Sequence, residues 1–360
     1  MKTRLRNALG IALSVAFLVW TLWGVRLSDV WAHLRASNLW YFAAATVAGT
    51  LIFPLRARRW RTILDPVAHH LPLGMLWRAT AIGMMGNNVA PARAGEFARA
   101  YALTKETPRV TFSAAFASLF VDRVFDAFVV LLLMVAAILS PAFPNIPIGG
   151  RPVSSWVEGG AVVALVALVG LYAVVLFPER MIAVYEWVAR RVAPRHEERG
   201  RAMLLSFASG LGVLRHPGRF VAVFLWTLAH WLLNGLAFYL AFKAVGIHAP
   251  FSAALLLQGL IAIGVAVPSA PGFFGIFEKL GQLGLGIYGV DRTVATSWAV
   301  GFHILTFLPI TIIGIYYFAR LGLHFKELRE APAHEREEQL AHAGASARES
   351  ARESARERAG

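Results

Sequence analysis

The sequence predicts an all-α protein that crosses a bilayer many times, and three observations carry that prediction. Hydrophobic residues make up 57% of the chain and charged residues 16%, where a soluble domain would carry about a quarter charged. Apolar runs of membrane-spanning length recur at 8–24, 39–55, 112–139, 157–177, 219–242 and 293–319, and runs of about 18 or more such residues read as spans. Lysine and arginine also fall in alternate connecting segments. Together these give about six full spans plus two re-entrant helical hairpins in an inverted-repeat arrangement.

The first run is followed by Val25-Arg26-Leu27-Ser28, not by a small-residue cleavage site, so it reads as a retained span rather than a signal peptide. Orientation follows from the basic residues. The N-terminus (Lys2, Arg4, Arg6), the segment 56–78, the loop 178–219 and the start of the tail (Arg320, Lys326, Arg329) hold nineteen Lys and Arg, whereas 25–38, 140–156 and 243–250 hold four. By the positive-inside rule the basic set is cytoplasmic, which predicts a multi-pass protein of the cell inner membrane with both termini cytoplasmic.

That orientation fixes what lies between the spans. With 56–78 inside and 112–139 leading outward, residues 79–110 must leave on the side they enter. The segment is broken by Gly83, Gly86, Asn87, Asn88, Pro91, Gly95 and several charges. The same parity applies to 251–292, which is broken by Pro268, Pro271, Gly272 and Gly275. Each segment therefore reads as a re-entrant hairpin, opening to opposite faces. Span, span, hairpin, span is then followed by the same order with inverted orientation, a pattern of alternating-access transporters whose site lies where the broken helices meet.

Two further segments are distinctive. In the loop 178–219, Met181, Ile182, Val184, Tyr185, Val188 and Val192 fall at helical spacing beside arginines, which predicts a basic amphipathic helix on the inner leaflet. The body, 1–325, is the transmembrane domain. Residues 326–360, with Ser-Ala-Arg-Glu repeated from Ser346, form a polar tail that cannot bury a core. The net charge of +14 sits in the body, in loops beside spans. It suits anionic lipid at the inner leaflet, and nucleic acid is a poor partner for charges scattered among loops. No cysteine is present, which removes disulfides and thiolate ligands. No metal-ligand spacing, Walker loop, nucleophile elbow or dinucleotide fingerprint occurs, so no cofactor and no metal is expected.

Charge at membrane depth is kept only where it is paired, hydrated or used. Arg93, Glu96 and Arg99 lie at i, i+3, i+6 beyond Asn87-Asn88 and Pro91; they mark either a binding segment or a surface loop with solvated charges. Asp122 and Asp126 stand one helical turn apart with Arg123 between, which fits a gate or a structural ion network locking two helices. Glu278 follows the break from Pro268 to Gly275. Arg56, Arg58, Arg59 and Arg61 around Trp60 close the second run, as topology determinants or as planar forks suited to phosphate.

At these clusters the chain resembles a known family. Arg56-x-x-Arg59-Trp60, Asn88…Pro91-x-Arg93-x-Gly95-Glu96-x-x-Arg99, Asp122-Arg123-x-x-Asp126 and Pro268-x-x-Pro271-Gly272-x-x-Gly275-x-x-Glu278 look like successive motifs of the lysylphosphatidylglycerol synthase transmembrane-region family, also described as flippase-like. Phe273 stands where that pattern has a second glycine. Well-known members join this region to a cytosolic aminoacyl-transferase domain, which has no counterpart in the expected tail, so synthase activity is not implied. The resemblance implies translocation of an amphipathic phospho- or glycolipid, and no enzyme activity. Arg93, Arg99, Asn88, Arg56 and Arg59 would bind the headgroup, Glu96 and Glu278 would balance charge or carry protons, and Asp122, Arg123 and Asp126 would hold or gate the hairpin. A separate lipid-modifying enzyme is a candidate partner. An intramembrane enzyme acting on a lipid-linked phosphate or sugar with Glu96 as base, and a membrane scaffold, remain the alternatives.

Overall fold

The computed structural model describes residues 16–90, 95–144, 216–265 and 271–324, with isolated positions at 12, 166, 180, 183, 185–187 and 190. Regular structure among them is helical, with no strand. After a helical stretch at 16–22 come α1 (Leu27–Arg35), α2 (Leu39–Leu64), α3 (Leu73–Val89), α4 (Gly95–Glu106) and α5 (Phe112–Ile138); then α6 (Pro217–Ala244), α7 (Phe251–Gly264), α8 (Ile276–Gly286) and α9 (Arg292–Arg320). The run expected to span at 157–177, the amphipathic helix of the 178–219 loop and the tail from 326 lie outside the described residues, apart from isolated positions.

Local chemistry sets these boundaries. Asn38 accepts from the Trp40 and Tyr41 amides, Thr111 from Ala114, and Asp291 from Thr293 and Val294; each oxygen satisfies amides that a helix start leaves unpaired. Pro217 opens α6, where its missing N–H costs nothing. Ala90 ends α3 in an extended conformation, φ −102° and ψ 145°, as a residue preceding proline must.

Helices α2, α6 and α9, with 26, 28 and 29 residues, are long and apolar enough to cross a membrane. Helix α5 has 27 residues, about 40 Å at 1.5 Å per residue, and runs unbroken through its three charges. Large apolar side chains such as Val47, Leu51, Leu225, Ile312 and Ile315 are exposed on these helices, on faces that a soluble bundle would cover. Trp20, Trp23, Trp31 and Trp40 are exposed as well and suit a membrane–water boundary.

The helix ends gather into two sets. At one end, Asp65 faces Arg219 at 3.5 Å, Arg109 donates to the His69 carbonyl, and Leu71, Val110 and Leu323 share a core cluster. At the other, the Asn38 amide bonds the Ala244 carbonyl at 2.8 Å and Phe143 meets Tyr288 edge to face. Helices α2 and α6 therefore run antiparallel along each other's length. The basic segments 56–78, 216–219 and 320–323 share the first end, and 25–38, 140–144 and 243–250 the second, as the charge pattern requires.

Both broken segments are antiparallel helical hairpins. In the first, Arg78 of α3 pairs with Glu106 of α4, and Gly83 lies against Gly95 and Arg99 nearer the tip. A Cβ on Gly95 would sit 1.9 Å from the Gly83 carbonyl oxygen, so small residues let the two backbones touch. In the second, Gly284 meets Leu257 and Gly264 meets Leu280. The first hairpin has both of its ends at the basic end of the bundle, and the second has both at the opposite end. Between α7 and α8 the short turn Pro271–Phe273 packs against α3. Gly272 and Gly275 take φ of +70° and +87°, and Phe273, in place of the glycine of the family pattern, takes +61°, a left-handed conformation that costs a β-carbon residue about 1–2 kcal/mol.

Candidate functional site

Helix α5 places Asp122 and Asp126 on one face, and both are buried among α2, α4 and α6. Arg59 of α2, with no exposed surface, reaches both: Nη2 lies 2.6 Å from Asp122 Oδ1 and Nη1 2.6 Å from Asp126 Oδ1. Nη1 also donates to Thr227 Oγ1 of α6 at 3.1 Å. Arg99 of α4 lies 3.1 Å from Asp122 Oδ2, with its guanidinium 4.1 Å from the centre of the Trp60 ring. Trp231 donates to Asp126 Oδ1 at 3.0 Å. Arg123 pairs with Glu96 and stands 3.7 Å from Asp126. Burying these ions is repaid only by such close pairing, and four helices, α2, α4, α5 and α6, are tied together by it.

Arg56, one turn before Arg59, is bound differently. Its Nη2 is 3.8 Å from both aspartates, its Nη1 meets the Met84 sulfur at 3.7 Å, and its Nε has no hydrogen-bond partner. Four arginines thus face three carboxylates, and the one with only long contacts opens on a cavity of about 250 Å³. Arg56, Asn88, Arg123 and Asp126 line one part of that cavity, Asn234 and Gln258 another, and Phe273, Phe277 and His303 a third; most of the remaining wall is apolar. Asn88 also donates to Thr311 of α9 at 2.7 Å.

Glu278 closes the second hairpin. One of its oxygens accepts the Gly275 amide at 2.6 Å, and the other lies 2.6 Å from His303 Nδ1 on α9. The His303 ring stacks on Phe274 at 4.5 Å, so this buried polar pair is sheathed in aromatics beside the cavity.

Of the residues the sequence singles out, Arg56, Arg59, Arg99, Glu96, Asp122, Arg123 and Asp126 come together in one cluster. Glu278 is held apart at the second hairpin, and Asn88 joins the cavity wall. Arg93, Pro91 and Pro268 lie outside the described residues. The apolar run 39–55 is part of a longer helix: α2 continues through the arginines to Leu64 and packs Arg56 and Arg59 into protein. Arg59 and Arg99, expected at the headgroup, are engaged with the aspartates and do not line the large cavity; Arg99 borders a smaller pocket with Glu96 and Gly95. Sequence reasoning missed Thr227, Trp231, Asn234, Gln258 and the pairing of His303. Thr227, His230, Trp231 and Asn234 recur at i, i+3, i+4, i+7 in an apolar helix, a polar stripe that helical periodicity could have found.

Among the described residues, an all-α bundle with outward apolar faces, three helices long and apolar enough to cross a membrane, and buried ions defines a multi-pass membrane protein. Residues 7–314 match the family described as the lysylphosphatidylglycerol synthase TM region, and the chain belongs to that family. It is similar to a protein named Glycosyltransferase AglD from Haloferax volcanii, at 27% identity over 301 residues, 75% of this chain. The match takes in 47% of AglD, so the chain spans about half the length of that relative. Two proteins of Methanothermobacter thermautotrophicus, each named UPF0104 membrane protein, are similar over nearly their full length. One is 25% identical over 341 residues, 89% of this chain and 95% of the relative. The other is 27% identical over 324 residues, 80% and 87% respectively.

Proposed function

We propose that this protein moves an amphipathic lipid with a phosphate-bearing headgroup between the leaflets of the cell inner membrane, with both termini cytoplasmic. The observation that supports this most is Arg56, a buried guanidinium with only long contacts, facing a cavity whose walls are mostly apolar. A phosphate would complete its donors, and the apolar wall would accept the start of an acyl or isoprenoid chain. The two hairpins act as re-entrant elements of an inverted repeat, and movement of one against the other would expose the cavity to each side in turn. Membrane lipid is the substrate, anionic lipid gathers at the basic end, and a separate lipid-modifying enzyme would supply or consume the cargo. The relative named as a glycosyltransferase brings a lipid-linked sugar within the substrate classes. An intramembrane enzyme with Glu96 as base has less support, since that carboxylate is engaged by Arg123.

Proteoliposomes containing headgroup-labelled phospholipids test the proposal by the fraction of label accessible to an impermeant quencher. Wild type should exchange lipid between leaflets faster than protein-free vesicles, and Arg56→Gln should lose that gain while remaining folded. No exchange with any headgroup, or full exchange by Arg56→Gln, would sink the proposal. Conversion of lipid to a new product in detergent would favour the enzyme.

A further inference from the structure

We propose that the cargo joins its phosphate to an uncharged, hydroxylated headgroup, a polyol or a sugar, and that Asn234 and Gln258 read its hydroxyls. This rests on the lipid-transfer reading above. Asn234 of α6 donates to Gln258 Oε1 of α7 at 2.9 Å, and both side chains line the cavity that Arg56 faces. Gln258 is 1% exposed, yet its Nε2 has no hydrogen-bond partner. A buried amide hydrogen left without an acceptor is unfavourable, so it marks a place where a ligand oxygen would be stabilised. Turning both amides over exchanges the roles of the two residues and leaves the same result: one donor and one acceptor remain beside each other. A hydroxyl both donates and accepts, and it completes such a pair as an ammonium cannot, because an ammonium only donates.

The charges around the cavity point the same way. An ammonium-bearing headgroup needs a carboxylate to receive it. Among the described residues lining the cavity the acidic group is Asp126; Arg59 and Trp231 hold its Oδ1 at 2.6 and 3.0 Å, and its Oδ2 is flanked by the guanidinium groups of Arg123 and Arg56 at 3.7 and 3.8 Å. Glu278, behind the wall, is taken by His303 and the Gly275 amide. Arg56 and Arg123 stand at the same surface and repel a cation. The cavity therefore offers a phosphate fork at one part and a hydroxyl-reading amide pair at another, with no seat for a positive headgroup.

Purified full-length protein in detergent is titrated with phosphatidylinositol, phosphatidylglycerol, phosphatidylethanolamine and lysyl-phosphatidylglycerol of equal chain length, and with deacylated glycerophosphoglycerol; binding is read by ligand-dependent thermal shift. Phosphatidylinositol and phosphatidylglycerol should bind at least tenfold tighter than the two amine-bearing lipids. Gln258→Met should bring the hydroxylated lipids down to the level of phosphatidylethanolamine, erasing the preference. Equal affinity for the amine-bearing lipids, or a preference unchanged in Gln258→Met, would overturn the inference while leaving lipid transfer standing. Failure of every lipid to bind or exchange would take down both. Glycerophosphoglycerol binding as tightly as the intact lipid would overturn the lipid as the source of the polyol phosphate. The wild-type panel needs no variant to fold, so the selectivity is tested in either case.

Discussion

Arg56 and Arg59 sit one turn apart on the same helix, and removing either takes the local formal charge from one positive excess to balance. Comparing Arg59→Met with Arg56→Gln therefore isolates contact geometry from net charge. Arg59 makes two contacts at 2.6 Å to buried carboxylates; deleting one partner of a buried ion pair costs about 3–5 kcal/mol. Arg56 lies 3.8 Å from the same two carboxylates, outside hydrogen-bond range, and its attraction to them is opposed by the positive charges of Arg59 and Arg99. Its loss should therefore cost clearly less than the loss of Arg59. Denaturant titration in mixed micelles, followed by tryptophan fluorescence, measures the stability, and vesicle exchange measures activity on the same preparations. Arg59→Met should fall in stability and membrane abundance together, and Arg59→Met with Asp126→Asn should recover part of the loss. Arg56→Gln should keep its fold and lose lipid exchange. The reasoning is refuted if Arg56→Gln is as destabilised as Arg59→Met, or if Arg59→Met is fully stable.

Gly95→Ala should destabilise the first hairpin by about 2–3 kcal/mol, since the added carbon meets the Gly83 carbonyl and an overpacked contact must shift backbone; thermal unfolding in detergent measures it. Asp291→Ala should cost about 1 kcal/mol through loss of the α9 cap and Asp291→Asn only a few tenths, again read by thermal unfolding. Single cysteines placed at 67 and 322, both exposed, should be labelled from the same side, and one at 248 from the opposite side, in a chain that has no other thiol; impermeant maleimide on oriented vesicles reads this, and an external reaction at 67 in intact cells would contradict the cytoplasmic assignment.

Much of the architecture was legible because the bilayer imposes long apolar runs and a charge rule. Parity and composition pointed to 79–110 and 251–292, where the structure has antiparallel helix pairs, and the proline and glycine breaks at 90–95 and 265–275 fall where the helices stop. The Asp122–Asp126 pair was legible because two carboxylates one turn apart in an apolar helix need a counter-charge. Which arginine answers them was not: Arg56 and Arg59 differ by three residues, and only the rotation of α2 against α5 decides that Arg59 lies between the aspartates while Arg56 faces the cavity. The Glu278–His303 contact was hidden for a related reason. It joins residues 25 positions apart on different helices, and no local spacing records the angle at which α8 meets α9.

The pairing of α2 with α6 has a consequence for how the chain is made. Arg59 finds Asp122 first, then Asp126 67 residues after itself and Thr227 168 residues after itself. At synthesis rates of roughly 5–20 residues per second, that is about 3–13 s before the first carboxylate arrives and about 8–34 s before the last wall of the cluster closes. For that interval a permanently charged helix waits at the translocon with its partners unmade. The buried charge of α2 therefore gains its carboxylates within the first half of the chain, and its Thr227 partner only when α6 has been made.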